Sequence, residues 1–343
     1  MRHAPRAAAK VRRADAEAVA EAAARLARGE LVAFPTETVY GLGADAANER
    51  AVAEIYRLKG RPADHPLIVH VPDAAGAAWW GRWSARAQRL ADAFWPGPLT
   101  LILPRRDDAP GYACGGQASI GLRVPAHPVA LALLAAFAAA GGHGVAAPSA
   151  NRFGRVSPTT AAHVIDDLGA DAPMVLDGGP CRVGVESTIV DLTRDRPVLL
   201  RPGGIDSARL EAVLGEPLLA RDAQAPRASG TLDAHYAPAT PIELVSRAGL
   251  QAGIARLHAR GWRVAAWSRS AAGAAADVHV PMPPRAGAAA RALYDTLRAL
   301  DRCGCDRILI ERVPAGVAWR AVADRLERAA AGAAIDPIED APC

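Results

Sequence analysis

Apolar and polar positions along this chain follow two periods. Between residues 16 and 28 apolar residues recur at helical spacing until Gly29, which predicts a helix stopped by glycine. The apolar run 31–35, containing a β-branched residue, then predicts a buried strand. Asn48 stands where a helix N-cap is favoured, and the pattern after it predicts a helix to Leu58 that ends at Gly60. Further strands are predicted over 67–71, 99–103, 120–124, 145–147, 174–176, 187–192 and 198–200. Helices are predicted over 84–94, 127–140, 158–168 (with Ser157-Pro158 as its cap) and 206–214. Mixed in this way, the elements predict an α/β domain built on one twisted open sheet.

The pattern breaks over 215–241, which is rich in Pro, Ala and polar residues and carries no period. A β-α-β rhythm resumes beyond it, with strands predicted at 242–245, 263–267, 278–280 and 307–311 and helices at 250–260, 285–301 and 319–330. The expected organisation is a domain over 1–214, a linker over 215–241, and a smaller Rossmann-like α/β domain over 242–343. The smaller domain has no GxGxxG after its first strand, so little in it points to a dinucleotide.

Composition narrows the picture. In 343 residues, hydrophobic types make up 51% and aromatics only 5%, so the core must be aliphatic. No apolar run approaches the ~18 residues of a membrane span, and no secretory signal is evident. Five scattered cysteines fit a reducing, cytoplasmic setting; Cys303 and Cys305 are too close for a CxxC knuckle. A net charge of +4 permits an anionic ligand but falls short of a nucleic-acid footprint. The positive charge is almost entirely Arg, with Lys10 and Lys59 the only lysines. Lys10 lies in a polar N-terminal stretch. Lys59 sits beside Arg61, where a compact ammonium and a forked guanidinium suit a polyphosphate.

Five segments carry more hydroxyl, amide and cationic chemistry than a scaffold needs. They are Phe34–Gly43, Tyr56–Leu67, Gln117–Pro125 with Arg123 in an apolar strand, Ala146–Pro158, and Gly184–Thr188 with Leu200–Gly204. A buried Arg123 needs an anionic partner, either an internal Asp or Glu or a substrate carboxylate. No P-loop, GxSxG, HExxH or zinc knuckle is present. Cations and hydroxyls without a nucleophile suggest that substrates react with each other while the protein orients them and offsets charge.

FPTETVYGLG, Lys59-Gly-Arg61 with its Pro-Leu-Ile-Val-His run, WPGPLT, LRVPAHP, APSAN, Ser-Pro-Thr, GVESTIVDL, LLRPGG and HYAP occur here in one order. In that order they resemble the threonylcarbamoyl-AMP synthase family in its long form, a YrdC-like catalytic domain plus an accessory domain. The resemblance implies a nucleotidyltransferase that makes threonylcarbamoyl-AMP and pyrophosphate from ATP, L-threonine and bicarbonate or CO2. It implies Mg2+ with ATP, metal ligands unknown, and no organic cofactor. The product would pass to threonylcarbamoyl-transferase proteins that modify the tRNA adenosine beside the anticodon, with any contact to tRNA indirect and none to a membrane.

Carried over by segment, Thr38, His70, Arg123, Ala147 and Ser187 would line the threonine site. Lys59, Arg61, His65, Ser119, Ser149, Asn151, Ser157, Arg201 and Tyr236 would surround ATP, with Lys59 and Arg61 catalytic. Tyr236 would make the linker a lid. The family often has Asn at the position of His65, and a Ser-Pro-Gly-Met-type run where this chain reads Ala228-Ser-Gly-Thr-Leu232. Two other readings are a carbamoyl-adenylate-forming maturation factor, whose zinc-finger and acylphosphatase-like segments are missing here, and a non-enzymatic RNA-binding module.

Overall fold

The side chain of Asn48 accepts the N–H groups of Arg50 and Ala51, which starts the helix Glu49–Lys59; Gly60 ends it in the left-handed region at φ 64°. That pair of signals fixes the point at which Lys59 leaves the helix. The structure, a computed structural model, describes residues 10–333. The ends of the expected domains at 1–9 and 334–343 lie outside the described residues.

Contacts divide the chain into two units, one running to Phe153 and again over Ser157–Thr231, the other comprising Gly154–Val156 and everything from Leu232. In the first, the strands are β1 (Val11–Arg13), β2 (Val32–Phe34), β3 (Gly41–Asp45), β4 (Ile68–His70), β5 (Leu99–Pro104), β6 (Ser119–Arg123), β7 (Val145–Ala146), β8 (Met174–Asp177), β9 (Thr188–Asp191), β10 (Val198–Arg201) and β11 (Leu219–Ala220). They form one mixed sheet in the order β1-β8-β2-β3-β7-β4-β6-β5-β9-β10-β11. Period-two alternation decides the faces. Val32 and Phe34 pack with the helices Ala16–Ala27 and Pro128–Ala139, whereas Ala33 between them joins the larger core on the opposite face.

Several elements carried weak sequence signals. β3 reads Gly-Leu-Gly-Ala-Asp, a poor strand by propensity. It is possible because a Cβ at Gly43 would lie 2.8 Å from the Phe34 ring and 2.9 Å from Val145, so only glycine lets the strands approach. The short β1, β11 and the helix Ala74–Trp80 were likewise absent from the expectation. One correction concerns the helix expected from Pro158. It begins at Ala161, capped by Thr160, because the Pro158 carbonyl accepts the Tyr40 N–H (2.9 Å) and the Ser157 hydroxyl is taken by Glu186.

The second unit holds β12 (Ile242–Val245), β13 (Val264–Ser268), β14 (Val278–Pro281) and β15 (Arg307–Glu311), all parallel, in the order β12-β15-β13-β14. Helices Leu250–His258, Ala286–Asp301 and Arg320–Gly332 connect and cover it. This is the expected Rossmann-like parallel layer, with its last strand inserted between the first two. No helix among the described residues is long and apolar enough to cross a membrane.

Candidate active site

The turn from β2 into β3 is built by one hydroxyl. Thr36 Oγ1 donates to the Val39 carbonyl (2.7 Å) while accepting the N–H groups of Thr38 and Val39, an arrangement that threonine makes readily with its own backbone. The turn presents Glu37 and Thr38 to Arg123, which ends β6. Arg123 Nη1 donates to Thr38 Oγ1 (3.0 Å), Nε to the Gly97 carbonyl (3.3 Å), and Nη2 lies 2.6 Å from Glu37 Oε1. The internal carboxylate that an apolar-strand arginine requires is therefore Glu37.

His70 is the register partner of Arg123 on parallel β4. It is fully buried edge-on to Phe34, and burial, with Arg123's charge behind it, pushes the imidazole down to about 3. It is neutral at any ordinary pH. Ala147 follows β7 and donates its N–H to the Ile68 carbonyl (3.0 Å). Ser187 is wholly buried; its hydroxyl meets that of Thr100 at 2.7 Å, and its carbonyl accepts from Arg201 Nε (3.1 Å) and Nη2 (3.0 Å).

Lys59 leaves its helix to donate from Nζ to the carbonyls of Ser149 (2.6 Å) and Asn151 (2.5 Å). Two of three ammonium hydrogens thus hold the Ala-Asn loop in shape. Burial, followed by the neighbouring Arg61 charge, moves this amine well below the usual lysine range. Arg61 Nη2 donates to the Pro66 carbonyl (2.9 Å) and reaches Ser229 Oγ (3.4 Å), with its guanidinium over the Phe153 ring. His65 packs edge-on to the same ring and is lowered by burial and by Arg61. Asn151 is buried and donates to the Arg152 carbonyl (2.8 Å), and Ser157 Oγ donates to Glu186 (2.7 Å).

The segment expected as a linker lies partly on this unit. Ala225 and Ala228 pack against the apolar cluster of Ile68, Ile102, Ile189, Val198 and Leu200. The Arg227 N–H donates to Gln117 Oε1 (2.8 Å), and the Ser229 carbonyl accepts from Arg201 Nη1 (2.7 Å). Ser229 therefore touches both Arg61 and Arg201, and two regions of sequence 140 residues apart meet there.

Lys59, Arg61, Arg123 and Arg201 are all buried, each with at most 7% of its surface exposed. They are not splayed into solvent. Contacts link Arg61, Ser229, Arg201, Ser187 and Thr100 in sequence, and the turn carrying Thr38 and Glu37 is laced to the 148–158 loop by Tyr40 and Leu42. Ser119 opens β6, about 13 Å along the strand from Arg123 at the usual rise. Tyr236 lies in the second unit, buried at φ 63° between His235, Tyr294 and Arg325.

Sequence reasoning assigned no site role to Glu37, Thr100, Glu186 or Ser229. Thr100 had a signal, a lone hydroxyl in the apolar run Leu-Thr-Leu-Ile-Leu; Ser229, in a segment without period, had none. The described residues contain no group of three or more His, Cys, Asp or Glu able to hold a metal.

Comparison with known proteins agrees with this layout. The family model described as "Telomere recombination" matches residues 24–203, and that of the threonylcarbamoyl-AMP synthase C-terminal domain matches 205–331. A threonylcarbamoyl-AMP synthase of Bacillus subtilis is 41% identical over 92% of this chain and 94% of its own length. The one from Pyrococcus abyssi is 39% identical over 90% and 92%. The crystal structure of P. abyssi Sua5 complexed with L-threonine superposes with a TM-score of 0.86 at 38% identity, covering 94% of this chain and 97% of the other. The chain belongs to the threonylcarbamoyl-AMP synthase family.

Proposed function

We propose that this chain synthesises L-threonylcarbamoyl-AMP from L-threonine, bicarbonate or CO2, and ATP, releasing pyrophosphate. The observation that carries the reading is the cluster of buried cations with neighbouring hydroxyls in a family whose relatives bear that enzyme's name. The L-threonine bound by the P. abyssi protein supports the same substrate here.

Arg123 would take the amino-acid carboxylate, with Thr38, His70, Ala147 and Ser187 around the rest of the molecule. A neutral His70 adds no second charge to compete for it. Lys59 and Arg61 would bind phosphates and offset charge as a carbamate oxygen attacks the α-phosphorus and pyrophosphate leaves. His65, Ser119, Ser149, Asn151, Ser157, Arg201 and Tyr236 complete the proposed ATP contacts. A phosphate near Lys59 would keep its amine protonated, opposing the burial that lowers it. The buried carboxylates of this region are already engaged, Glu186 by the Ser157 hydroxyl and Glu37 by Arg123, so Mg2+ would ride on the triphosphate, where it neutralises charge.

Residues 215–241 would serve as a lid, which a carbamate and a mixed anhydride need because both decompose in water. Use of the product by tRNA-modifying threonylcarbamoyl-transferase proteins is part of the same reading. The test is pyrophosphate release from ATP with each substrate omitted in turn. Release should require both L-threonine and bicarbonate; equal turnover without threonine would refute the assignment.

A further inference from the structure

Glu37 neighbours Thr38 in the turn after β2, and both oxygens of its buried carboxylate are engaged. Oε1 stands against Arg123 at 2.6 Å, and Oε2 accepts the Ala126 N–H at 3.1 Å. Its backbone carbonyl accepts the Val183 N–H (2.8 Å), so the residue is held from several sides. Arg123 has five N–H donors. Gly97 and Thr38 each take one, from Nε and Nη1, while Nη2 meets Glu37 Oε1 as an ion pair rather than through an aligned hydrogen bond, which leaves at least one hydrogen on each terminal nitrogen. Two such hydrogens match the two oxygens of one further carboxylate.

Charge sharpens the point. An isolated buried guanidinium would attract any anion, most strongly a polyphosphate. Beside Glu37 the pair is neutral overall, so an incoming dianion or trianion meets a negative neighbour. An α-amino acid does not suffer in the same way, because it brings its own ammonium with its carboxylate.

We propose that Glu37 is a positioning and specificity residue: it aims Arg123 and neutralises it, so that this site takes a zwitterionic amino acid and refuses pyrophosphate or triphosphate. This rests on the threonine site proposed above. The amide in Glu37→Gln has a single acceptor for two donors, Arg123 and Ala126, so one donor is left without a partner and the guanidinium loses its aim. Glu37→Asp keeps the charge but withdraws it by one methylene.

The experiment measures KM for L-threonine and for ATP, and the mode of pyrophosphate inhibition, in the full-length wild type, E37Q and E37D, with thermal unfolding of each. In E37Q, KM for threonine should rise at least about tenfold, the loss expected for a charged hydrogen bond, while KM for ATP stays within about twofold. Pyrophosphate should become competitive with threonine in E37Q, but not in the wild type or E37D. Unchanged threonine KM with unchanged inhibition mode in a folded E37Q overturns the role of Glu37. So does a parallel rise in both KM values, or loss of the thermal transition in both variants, since either outcome marks a purely structural pair. A wild type that turns over without threonine defeats the functional reading instead, which keeps the two failures distinguishable.

Discussion

Each unit carries an arginine–glutamate pair at a strand end with its carboxylate buried, and the two pairs are finished differently. In the second unit Glu311, ending β15, is wholly buried. Its Oε1 takes Arg269 Nη2 at 3.0 Å, and its Oε2 takes the backbone N–H groups of Arg269 (3.0 Å) and Ser270 (2.8 Å). The Arg269 guanidinium then lies over Trp319. In that pair the carboxylate is saturated and joins the ends of β13 and β15. In the first unit Glu37 Oε2 takes one N–H, Oε1 meets Arg123 only as an ion pair, and Arg123 keeps at least two hydrogens in hand. The same residue types make a closed strut in one place and a receptive site in the other. What separates them is the burial of the arginine side chain, 4% exposed at Arg123 and 26% at Arg269.

The largest predicted contrast comes from removing each arginine. Arg123→Ala should lower kcat/KM for threonine by about 10³-fold, the upper part of what a desolvated charge contact contributes, and it should also lower stability by leaving Glu37 buried without its partner. Arg269→Ala should leave threonine and ATP kinetics unchanged, while denaturant unfolding shows a loss of about 1–3 kcal/mol from the unmatched Glu311. A threonine-specific defect in Arg269→Ala would break the distinction between strut and site.

Next in size is Lys59. Lys59→Ala should reduce turnover by about 10²–10³-fold, as for other preorganised donors. It should also destabilise the protein measurably, because the carbonyls of Ser149 and Asn151 lose their donor. The sequence alone suggested a residue devoted to ATP; the structure gives it a load in the loop as well.

Smallest in its effect on turnover is the pH dependence, which acts on stability. His70 is held near 3, below the ordinary imidazole value of 6.5, so the folded state resists a proton that the unfolded chain accepts. Stability contributed this way is full above about 6.5 and is lost as pH falls toward 3, at up to about 1.4 kcal/mol per pH unit. Unfolding of wild type and His70→Gln across that window should converge at acid pH. A constant difference between them would contradict the buried, neutral imidazole.

Much of the scaffold was legible because its signals are local. Asn48 and Gly60 bound their helix as their cap chemistry requires, and the strands at β2, β4, β6 and β15 arise from short apolar runs. Where sequence failed, a distant partner decided the outcome. β3 needed the Phe34 ring to explain its glycines, and the helix after Ser157 starts late because Tyr40 and Glu186 claim the residues before it. Candidate cations at 59, 61, 123 and 201 were visible as charges in apolar surroundings. Their distant partners, carbonyls, hydroxyls and a carboxylate 14 to 168 residues away, were not. Ser229 is the clearest case, a serine in a segment without period that bridges two of those cations.

The most direct measurement is the mass of the product formed from ATP, L-threonine and ¹³C-bicarbonate. The account predicts a threonylcarbamoyl adenylate carrying one labelled carbon, formed with pyrophosphate and suppressed in Arg123→Ala. An unlabelled adenylate, or a labelled one made equally well by that variant, would contradict it.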